Sequence, residues 1–254
     1  MTFSVSAAAY DRFMGRFSGP LSPVFAGWAG IGPGMLVLDV GCGPGALTAE
    51  LVRIVGADRV AAVDPSETFV AACAERVPDA DIRRSAAESL PFADGAFDAA
   101  LAQLVLPFVQ DAGAVALQMR RVVRPGGVVA TCSWARDGME LLDVVWGAAR
   151  DRLGIEGGES GMPYRTEDEL RRLLAASGLR DVETRLLEAR GDYDSFDDLW
   201  ASLQGGAGPA GSFVAGLDDE RRAALREGVR VRLGHPGGEF SLTGRAWGAR
   251  GRVP

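Results

Sequence analysis

Apolar and polar positions between residues 35 and 134 form a repeating pattern, in which short apolar runs alternate with stretches of helical spacing. The short runs predict buried strands and the stretches between them predict helices. The strands are expected at Leu36–Val40, Val60–Val63, Asp81–Ser85, Phe97–Ala102 and Val128–Ser133, and the helices at Gly45–Val55, from a cap at Ser66 to Arg76, and at Asp111–Val123. Strands alternating with helices predict a parallel sheet with helices on both faces.

The second half of the chain is less regular. Thr166 is a typical cap for a helix at Glu167–Ser177, and further helices are expected around Phe196–Leu203 and at Asp218–Leu233. Strands at Asp181–Leu187 and Phe240–Gly251 would complete an α/β fold with a Rossmann-like, seven-stranded, mostly parallel sheet. Two excursions from this sheet, at about 136–164 and 192–234, predict a small helical lid rather than an independent domain.

The stretch Val37–Thr48 carries the strongest pattern for chemistry, VLDVGCGPGALT. A strand ends at Val40, and glycines follow at alternate positions before a helix begins. Glycines allow positive φ and a close approach of a ligand to the backbone, and the helix start offers free N–H groups. Open α/β sheets bind ligands at this end of a strand. A binding loop is therefore expected, with contacts from Asp39, Gly41, Cys42, Gly43 and Gly45.

The spacing of these glycines distinguishes two kinds of ligand. A dinucleotide-binding fold uses the pattern GxGxxG. In this chain Ala46 occupies the position of the last glycine in that pattern. The tighter GxGxG, with Asp39 before it, closely resembles the first motif of the class I S-adenosylmethionine (SAM)-dependent methyltransferases. The resemblance implies that the loop holds the amino-acid part of SAM. It also implies that Asp64, 19 residues after Gly45, binds the ribose hydroxyls and that Pro65 lies near the adenine.

The stretch Ser85–Val109 is similar to a later segment of the same family. Family members often have an adenine-binding aspartate at the position that is Ala86 here. Because alanine lacks that carboxylate, the backbone of Ala86 and Ala87 is expected to line the adenine pocket. Gln103 and Leu104 follow the fourth strand, where the methyl group should point. Many relatives have a histidine a few residues further on, at the position occupied here by Pro107.

The N-terminal stretch Tyr10–Pro23 resembles the first helix of a bacterial subgroup related to the ubiquinone/menaquinone-biosynthesis methyltransferases, and FSLTGRAWGARG matches that subgroup's last strand. The resemblance implies that residues 1–34 close over the cofactor, with Tyr10, Met14 and Arg16 as candidate contacts. Residues 35–254 would then form the SAM-binding core with its lid insertions.

Methyl transfer depends mainly on proximity and orientation, because the cofactor carries the reactive group. The catalytic residue is left undetermined, with His235, Tyr10 and Gln103 as candidates. Glu140 and Glu159 lie in the first lid segment, where a charge is usually solvated. The lid and the end of the fifth strand carry aromatic residues that either line a pocket for a planar or apolar acceptor or pack the lid onto the sheet: Trp134, Trp146, Tyr164, Trp200 and Phe213.

Composition narrows the possible partners. The net charge of −7 disfavours a nucleic-acid substrate, and one histidine with three scattered cysteines disfavours a metal site. No apolar run is long enough for a membrane span and the N-terminus lacks the pattern of a secretory signal, so a cytoplasmic monomer or homodimer is expected.

These observations predict a methyltransferase acting on a small molecule at O, N, S or C, with S-adenosylhomocysteine as the second product. Two other functions stay open. A nicotinamide-dependent dehydrogenase is disfavoured by the glycine spacing. A protein that binds SAM for regulation or for a non-methylating reaction is compatible with the missing histidine.

Overall fold

One seven-stranded sheet forms the centre of the protein. The computed structural model describes residues 6–158, 161–206 and 208–254. The strands are β1 (Val37–Val40), β2 (Val60–Asp64), β3 (Asp81–Arg84), β4 (Phe97–Gln103), β5 (Val123–Met139), β6 (Arg180–Tyr193) and β7 (Phe240–Arg252). Their order is β3-β2-β1-β4-β5-β7-β6. The first five strands run parallel, and β7 pairs antiparallel with both β5 and β6.

Helices fill most of the segments between the strands. They are α1 (Ala7–Tyr10), which continues through a π-helical turn (Asp11–Gly15) into α2 (Arg16–Ala29), α3 (Ala46–Val55), α4 (Glu67–Arg76), α5 (Ala112–Val122), α6 (Glu140–Leu153), α7 (Glu167–Ala176), α8 (Phe196–Leu203), α9 (Gly208–Ala215) and α10 (Asp219–Arg232). Among the helices of the described ranges, none has the length and apolar character needed to cross a bilayer.

The predicted fold class, a Rossmann-like and mostly parallel seven-stranded sheet, is confirmed. The caps at Ser66 and Thr166 are also present, the latter as a capping box with Glu169. Two strands are longer than predicted: β5 runs on to Met139, and β6 runs on to Tyr193. Both extensions pair with β7, and long-range pairing of this kind leaves no local pattern in the sequence.

Apolar side chains pack on both faces of the sheet. Leu21 and Phe25 of α2 join Leu51 of α3 on one face, while α5 and α7 cover the other. A separate apolar cluster joins the π-helical turn and α2 to helices α6, α8, α9 and α10, with Phe17 and Tyr193 fully buried in it. The segments expected to leave the sheet therefore pack around a core of their own.

Candidate active site

The candidate site lies where the order of strands reverses. β1 and β4 are neighbours in the sheet, but the chain continues from β1 to β2 on one side and from β4 to β5 on the other. Such a switch point leaves a crevice at the carboxyl ends of the strands. A cavity of about 630 Å³ occupies this position. Of the residues expected to contact the cofactor, it is lined by Tyr10, Met14, Asp39, Gly41, Cys42, Gly43, Asp64, Pro65, Ala86, Ala87, Gln103 and Leu104.

The glycine-rich loop is fixed by its backbone to the end of β2. Gly41 and Cys42 both donate their N–H groups to the carbonyl of Val63, at 2.8 and 3.0 Å. Gly41 has a φ of +74°, and a Cβ built on it would lie 2.5 Å from a methyl of Val105. Only glycine fits this position, because the left-handed backbone and the crowding by Val105 both exclude a side chain.

Asp64 joins two sides of the cavity. Its Oδ2 accepts a hydrogen bond from the backbone N–H of Gly43 at 3.0 Å, and its Oδ1 accepts one from Ser66 at 2.9 Å. Burial raises the pKa of the Asp64 carboxyl, and the two N–H donors oppose that shift. Because a carboxylate offers about four acceptor positions, hydroxyl groups of a ligand can still bind to it.

Asp39 is an acidic side chain at the base of the loop with 1% of its surface exposed. The Thr48 hydroxyl donates to its Oδ2 at 2.7 Å, whereas Oδ1 has no hydrogen-bond partner within the described chain. Burial, with a smaller contribution from the charge of Asp64, raises the pKa of Asp39 to about 7. A buried acceptor without a partner is costly, so this side of the cavity favours a ligand that brings a donor or a positive charge.

The loop after β3 forms another wall and presents small side chains. Ser85 donates its backbone N–H to the carbonyl of Asp64 at 3.1 Å, which holds Ala86 and Ala87 at the cavity. Glu88 is the carboxylate on this wall, and its Oε1 accepts from the N–H of Gln110 at 3.0 Å. Sequence reasoning missed Glu88, although its position beside the substituted Ala86 could have drawn attention to it.

Gln103 lies at the cavity and connects β4 to α2. Its Nε2 donates to the Ser18 carbonyl and to the Ser22 hydroxyl, both at 3.0 Å. The next residue, Leu104, has a φ of +64°, which is uncommon for a side chain of its size. Its N–H donates to the carbonyl of Cys132 at 2.8 Å. The backbone at the end of β4 is therefore held in a strained turn that faces the cavity.

The N-terminal segment covers the cavity from above the loop. Tyr10 packs edge-to-face against Phe69 with ring centres 5.6 Å apart, and burial raises its pKa above the ordinary value. Met14 accepts a hydrogen bond from the indole of Trp134, with the sulfur 3.2 Å from the nitrogen. Aromatic and sulfur contacts thus connect this segment to both α4 and the end of β5.

Two expected contacts lie away from the cavity. Arg16 forms an ion pair with Asp198 at 2.5 Å and packs over the ring of Tyr193, so it attaches α2 to α8 and to the end of β6. Gly45 is the residue before α3 and has a φ of +93°. A Cβ on Gly45 would lie 2.8 Å from the sulfur of Cys73, so close packing beneath the loop explains this glycine.

The structure also places the remaining catalytic candidates. His235 is exposed in the turn after α10 and does not line the cavity. The carboxylate of Glu140 accepts from the N–H of Thr243 at 2.7 Å, which is a structural role at the start of α6. Glu159 lies outside the described residues.

A second group of cavity residues was not found from the sequence. Phe13, Val105, Phe108 and Met162 form an apolar wall beyond the loop, next to Trp134. Arg165 also lines this region, is 6% exposed, and donates to the carbonyls of β5. The apolar run between β4 and α5 could have indicated part of this wall, since it directly follows the switch point. Other residues in this part of the lining are Ser18, Val109, Gln110, Asp111, Ala114, Gly208 and Pro209, together with Pro107, whose position the sequence had already singled out.

Five aromatic residues, at the end of the fifth strand and in the predicted lid segments, were candidates for the acceptor pocket. Of these five, Trp134 alone lines the cavity. Trp146 packs against Phe213 with ring centres 5.0 Å apart, and Trp200 is buried in the core of the lid. Tyr164 packs against the core formed by α5 and α7. Three of these residues pack inside the cluster of helices α6, α8, α9 and α10, and Tyr164 packs onto the core of the sheet, so of the two roles considered these four residues fit packing rather than lining the pocket.

Comparisons with known proteins agree with this geometry. Residues 38–131 match the family described as "Methyltransferase domain". A malonyl-[acyl-carrier protein] O-methyltransferase of Pseudescherichia vulneris is 35% identical over 117 residues, which cover 46% of each chain. A demethylmenaquinone methyltransferase of Mycolicibacterium paratuberculosis is 38% identical over 117 residues, or 46% of this chain and 49% of the relative. The chain spans less than half the length of the first curated relatives it matches.

Solved structures show the same fold over nearly the whole chain. A phosphoethanolamine N-methyltransferase of Haemonchus contortus, in complex with S-adenosylhomocysteine, has a TM-score of 0.60 and 16% sequence identity. The match covers 98% of this chain and 57% of the other. At this level of identity the similarity concerns the fold.

Proposed function

Because residues 38–131 match a methyltransferase domain, we propose that the chain is a class I SAM-dependent methyltransferase that transfers the methyl group of SAM to a small, largely apolar acceptor. The observation that carries this proposal is the continuous cavity in which the glycine-rich loop adjoins the apolar wall of Phe13, Phe108, Trp134 and Met162. A pocket with apolar walls and a few placed polar groups is typical of small-molecule sites.

The residues of the loop fit SAM. Asp64 retains acceptor capacity for ribose hydroxyls beyond its bonds to Gly43 and Ser66. Asp39 has a buried oxygen without a partner among the described residues, and a cationic amino group would suit it. Ala86 and Ala87 leave room for a flat base at the wall after β3. When bound, SAM supplies a methyl group activated by a sulfonium, and S-adenosylhomocysteine is the product.

We further propose that the chain contributes alignment and exclusion of water rather than a strong base. Within the described ranges no histidine lines the cavity, and its carboxylates already have other roles: Asp39 and Asp64 belong to the loop side, while Glu88 and Asp111 accept backbone N–H groups. The N-terminal segment, which carries Tyr10 and Met14, closes the loop side, while Met162 and Pro209 close the acceptor side. Holding two reactants in contact in a dry site can supply most of the needed barrier reduction. An acceptor that is already acidic or strongly nucleophilic suits such a site.

The test is a transfer assay with isotopically labelled SAM and a panel of apolar phenols, thiols, carboxylates and amines, with RNA and a protein mixture as comparison substrates. We expect S-adenosylhomocysteine release and a labelled product only with small molecules. Labelled RNA or protein would overturn the acceptor class. SAM binding without S-adenosylhomocysteine release from any acceptor would overturn the transferase and favour a regulatory or non-methylating role.

Two variants separate the parts of the site. Met162→Ala should raise the KM of the acceptor several-fold and leave the Kd of SAM unchanged, because Met162 lies on the apolar wall. Asp64→Asn should weaken the binding of SAM, because Asp64 belongs to the loop side. If Met162→Ala weakened SAM binding as strongly as Asp64→Asn does, the assignment of the loop side to SAM and of the apolar wall to the acceptor would be wrong.

A further inference from the structure

A buried guanidinium belongs to the acceptor side of the cavity. Arg165 precedes α7 by two positions, is 6% exposed, and lines the cavity as Met162 and Trp134 do. Arginine is seldom buried to this extent, because removing a charge from water costs free energy. A few placed polar groups in an otherwise apolar pocket fix the orientation of its ligand and decide its specificity. Arg165 is such a group.

The end of β5 holds this side chain in one orientation. The Nε of Arg165 donates to the carbonyl of Trp134 at 3.2 Å, and Nη2 donates to the carbonyl of Ala135 at 3.0 Å. Both carbonyls are neutral, so these two bonds orient the guanidinium without cancelling its charge. The backbone of Arg165 is fixed as well, since it accepts from the N–H of Arg136 and donates to Glu169. Such preorganisation lowers the cost of binding a ligand.

Acidic and basic residues of the cavity lie on different sides of it. Asp39 and Asp64 belong to β1 and β2, and Glu88 lies in the loop after β3. Asp111, at the start of α5, is a further acidic residue of the lining. The described residues that line the cavity include one basic side chain, Arg165, which is bonded to β5. In the sheet, β4 separates β5 from the strands that carry Asp39 and Asp64.

We propose that Arg165 binds a carboxylate of the methyl acceptor, so that the acceptor is an acid with an apolar body. The planar fork of a guanidinium matches the two oxygens of a carboxylate. The apolar wall, which includes Phe13 and Met162, would pack against the rest of the molecule. This inference rests on the proposed function, because it names the acceptor class of the same site.

The separated charges would also keep the two reactants in their own halves of the cavity. The sulfonium and ammonium groups of SAM suit the acidic side, and a carboxylate of the acceptor suits Arg165. In exchanged positions each charge would meet one of its own sign, which is costly in a site with little water. Asp143 of α6 is close enough for the charge of Arg165 to oppose the rise in its pKa, which burial chiefly causes. Asp143 does not line the cavity, whereas Arg165 does.

The first experiment measures binding to full-length protein saturated with S-adenosylhomocysteine. The probes are para-hydroxyphenylalkanoates of increasing chain length and their primary amides, which have nearly the same shape without the charge. Calorimetry at neutral pH gives the Kd of each. We expect the acid of the best-fitting length to bind at least about tenfold more tightly than its amide, because hydrogen bonds between charged groups are the stronger ones. Equal Kd values, or no binding by any acid of the series, would overturn the proposal.

Variants assign the preference for the acid to one side chain. Arg165→Met should bring the ratio of the two Kd values close to one, and a full ratio in this variant would contradict the role of Arg165. Arg165→Lys should keep part of the ratio, because an ammonium keeps the charge and lacks the fork. If Arg165→Met does not fold, Arg165→Gln replaces it, since its amide can still donate to β5. Arg172→Met is the control and should keep the full ratio, because Arg172 is exposed and lies outside the cavity.

The second experiment separates this inference from the proposed function. Formation of S-adenosylhomocysteine from SAM is measured with the same acids and amides as acceptors. We expect the acids to have a KM at least about tenfold lower than that of the amides. Turnover with the same KM for acid and amide would contradict the role of Arg165 and leave the transferase standing. Tight binding of the acids without turnover of any acceptor would instead contradict the proposed function and leave the carboxylate site standing.

Discussion

Gly43 donates its backbone N–H to Oδ2 of Asp64 at 3.0 Å, so one carboxylate both faces the cavity and ties the loop after β1 to the end of β2. The other oxygen of Asp64 accepts from Ser66 at the start of α4. A change at this side chain therefore affects a candidate ligand contact and the shape of the loop together.

Asp64→Asn should weaken SAM binding by about tenfold to a hundredfold, because hydrogen bonds to a charged group are worth about 1.5–3 kcal/mol each. Calorimetry gives the Kd, and thermal unfolding shows whether the fold is retained. Asp79→Asn is the matched control, since Asp79 is exposed and lies outside the cavity. An unchanged Kd in Asp64→Asn would remove Asp64 from the cofactor site.

Gly41→Ala should destabilise the protein by about 1–3 kcal/mol, because it combines a left-handed backbone with overpacking against Val105. Chemical denaturation measures the free energy of unfolding. Adding Val105→Ala should recover the part of the loss that comes from crowding, and the part due to φ should remain. Gly32→Ala is the control, since a Cβ at Gly32 would meet no atom within 4 Å beyond its chain neighbours. Equal stability of the two glycine variants would contradict this account.

Much of the fold and of the loop side of the site could be predicted from the sequence. The strand-glycine-helix pattern is local, and Gly41, Gly43 and Asp64 all line the cavity as expected. The apolar wall could not be predicted in this way. Phe13 comes from the N-terminal segment and Met162 from the stretch before α7, and only long-range packing brings them together.

Arg16 illustrates a different difficulty. A resemblance in sequence placed it among the cofactor contacts, but α8 of this chain offers Asp198 as a partner, and the guanidinium pairs with it instead. Where a charged side chain points depends on the partners that surround it. Here the partners come from α8 and the end of β6, where the sequence carries no recognisable motif.

Gln103→Leu should lower stability by about 1–3 kcal/mol, because it removes both hydrogen bonds from β4 to Ser18 and Ser22 while keeping a similar volume. Urea denaturation measures the loss, and Gln204→Leu at an exposed position is the control. Should Gln103→Leu leave stability unchanged but lower kcat, the side chain would act on the reactants instead of holding α2.

Asp11→Asn should shorten the lifetime of bound SAM by about two- to fivefold and change stability by less than about 1 kcal/mol, the usual range for a partly exposed pair. Asp11 forms an ion pair with Arg76 of α4, and this pair holds the segment that carries Tyr10 over the cavity. Stopped-flow dissociation measures the lifetime. The exchanged pair, Asp11→Arg with Arg76→Asp, should restore it. Failure of the exchange to restore the lifetime would show that the pair does not hold the segment.

Asp39 should make the ligand-free protein less stable as the pH rises. Its pKa in the folded state is about 7, raised chiefly by burial, whereas an unfolded aspartate titrates near about 3.9. Between these values the folded state binds more protons than the unfolded state, so the free energy of unfolding falls as the pH increases through this window. The stabilising effect of the protonated carboxyl is fully present below about pH 4 and is lost above about pH 7.

Asp39→Asn, which is neutral throughout, should lack this contribution. Urea denaturation at about pH 5 and about pH 8 should show that the unchanged protein loses about 1–3 kcal/mol more than the variant. Asp79→Asn should behave like the unchanged protein, because its side chain is exposed. Other buried carboxyls, including Asp64, add their own dependence, so the difference between the two proteins is the quantity that tests Asp39. An identical loss in Asp39→Asn would show that this carboxyl does not titrate in the window.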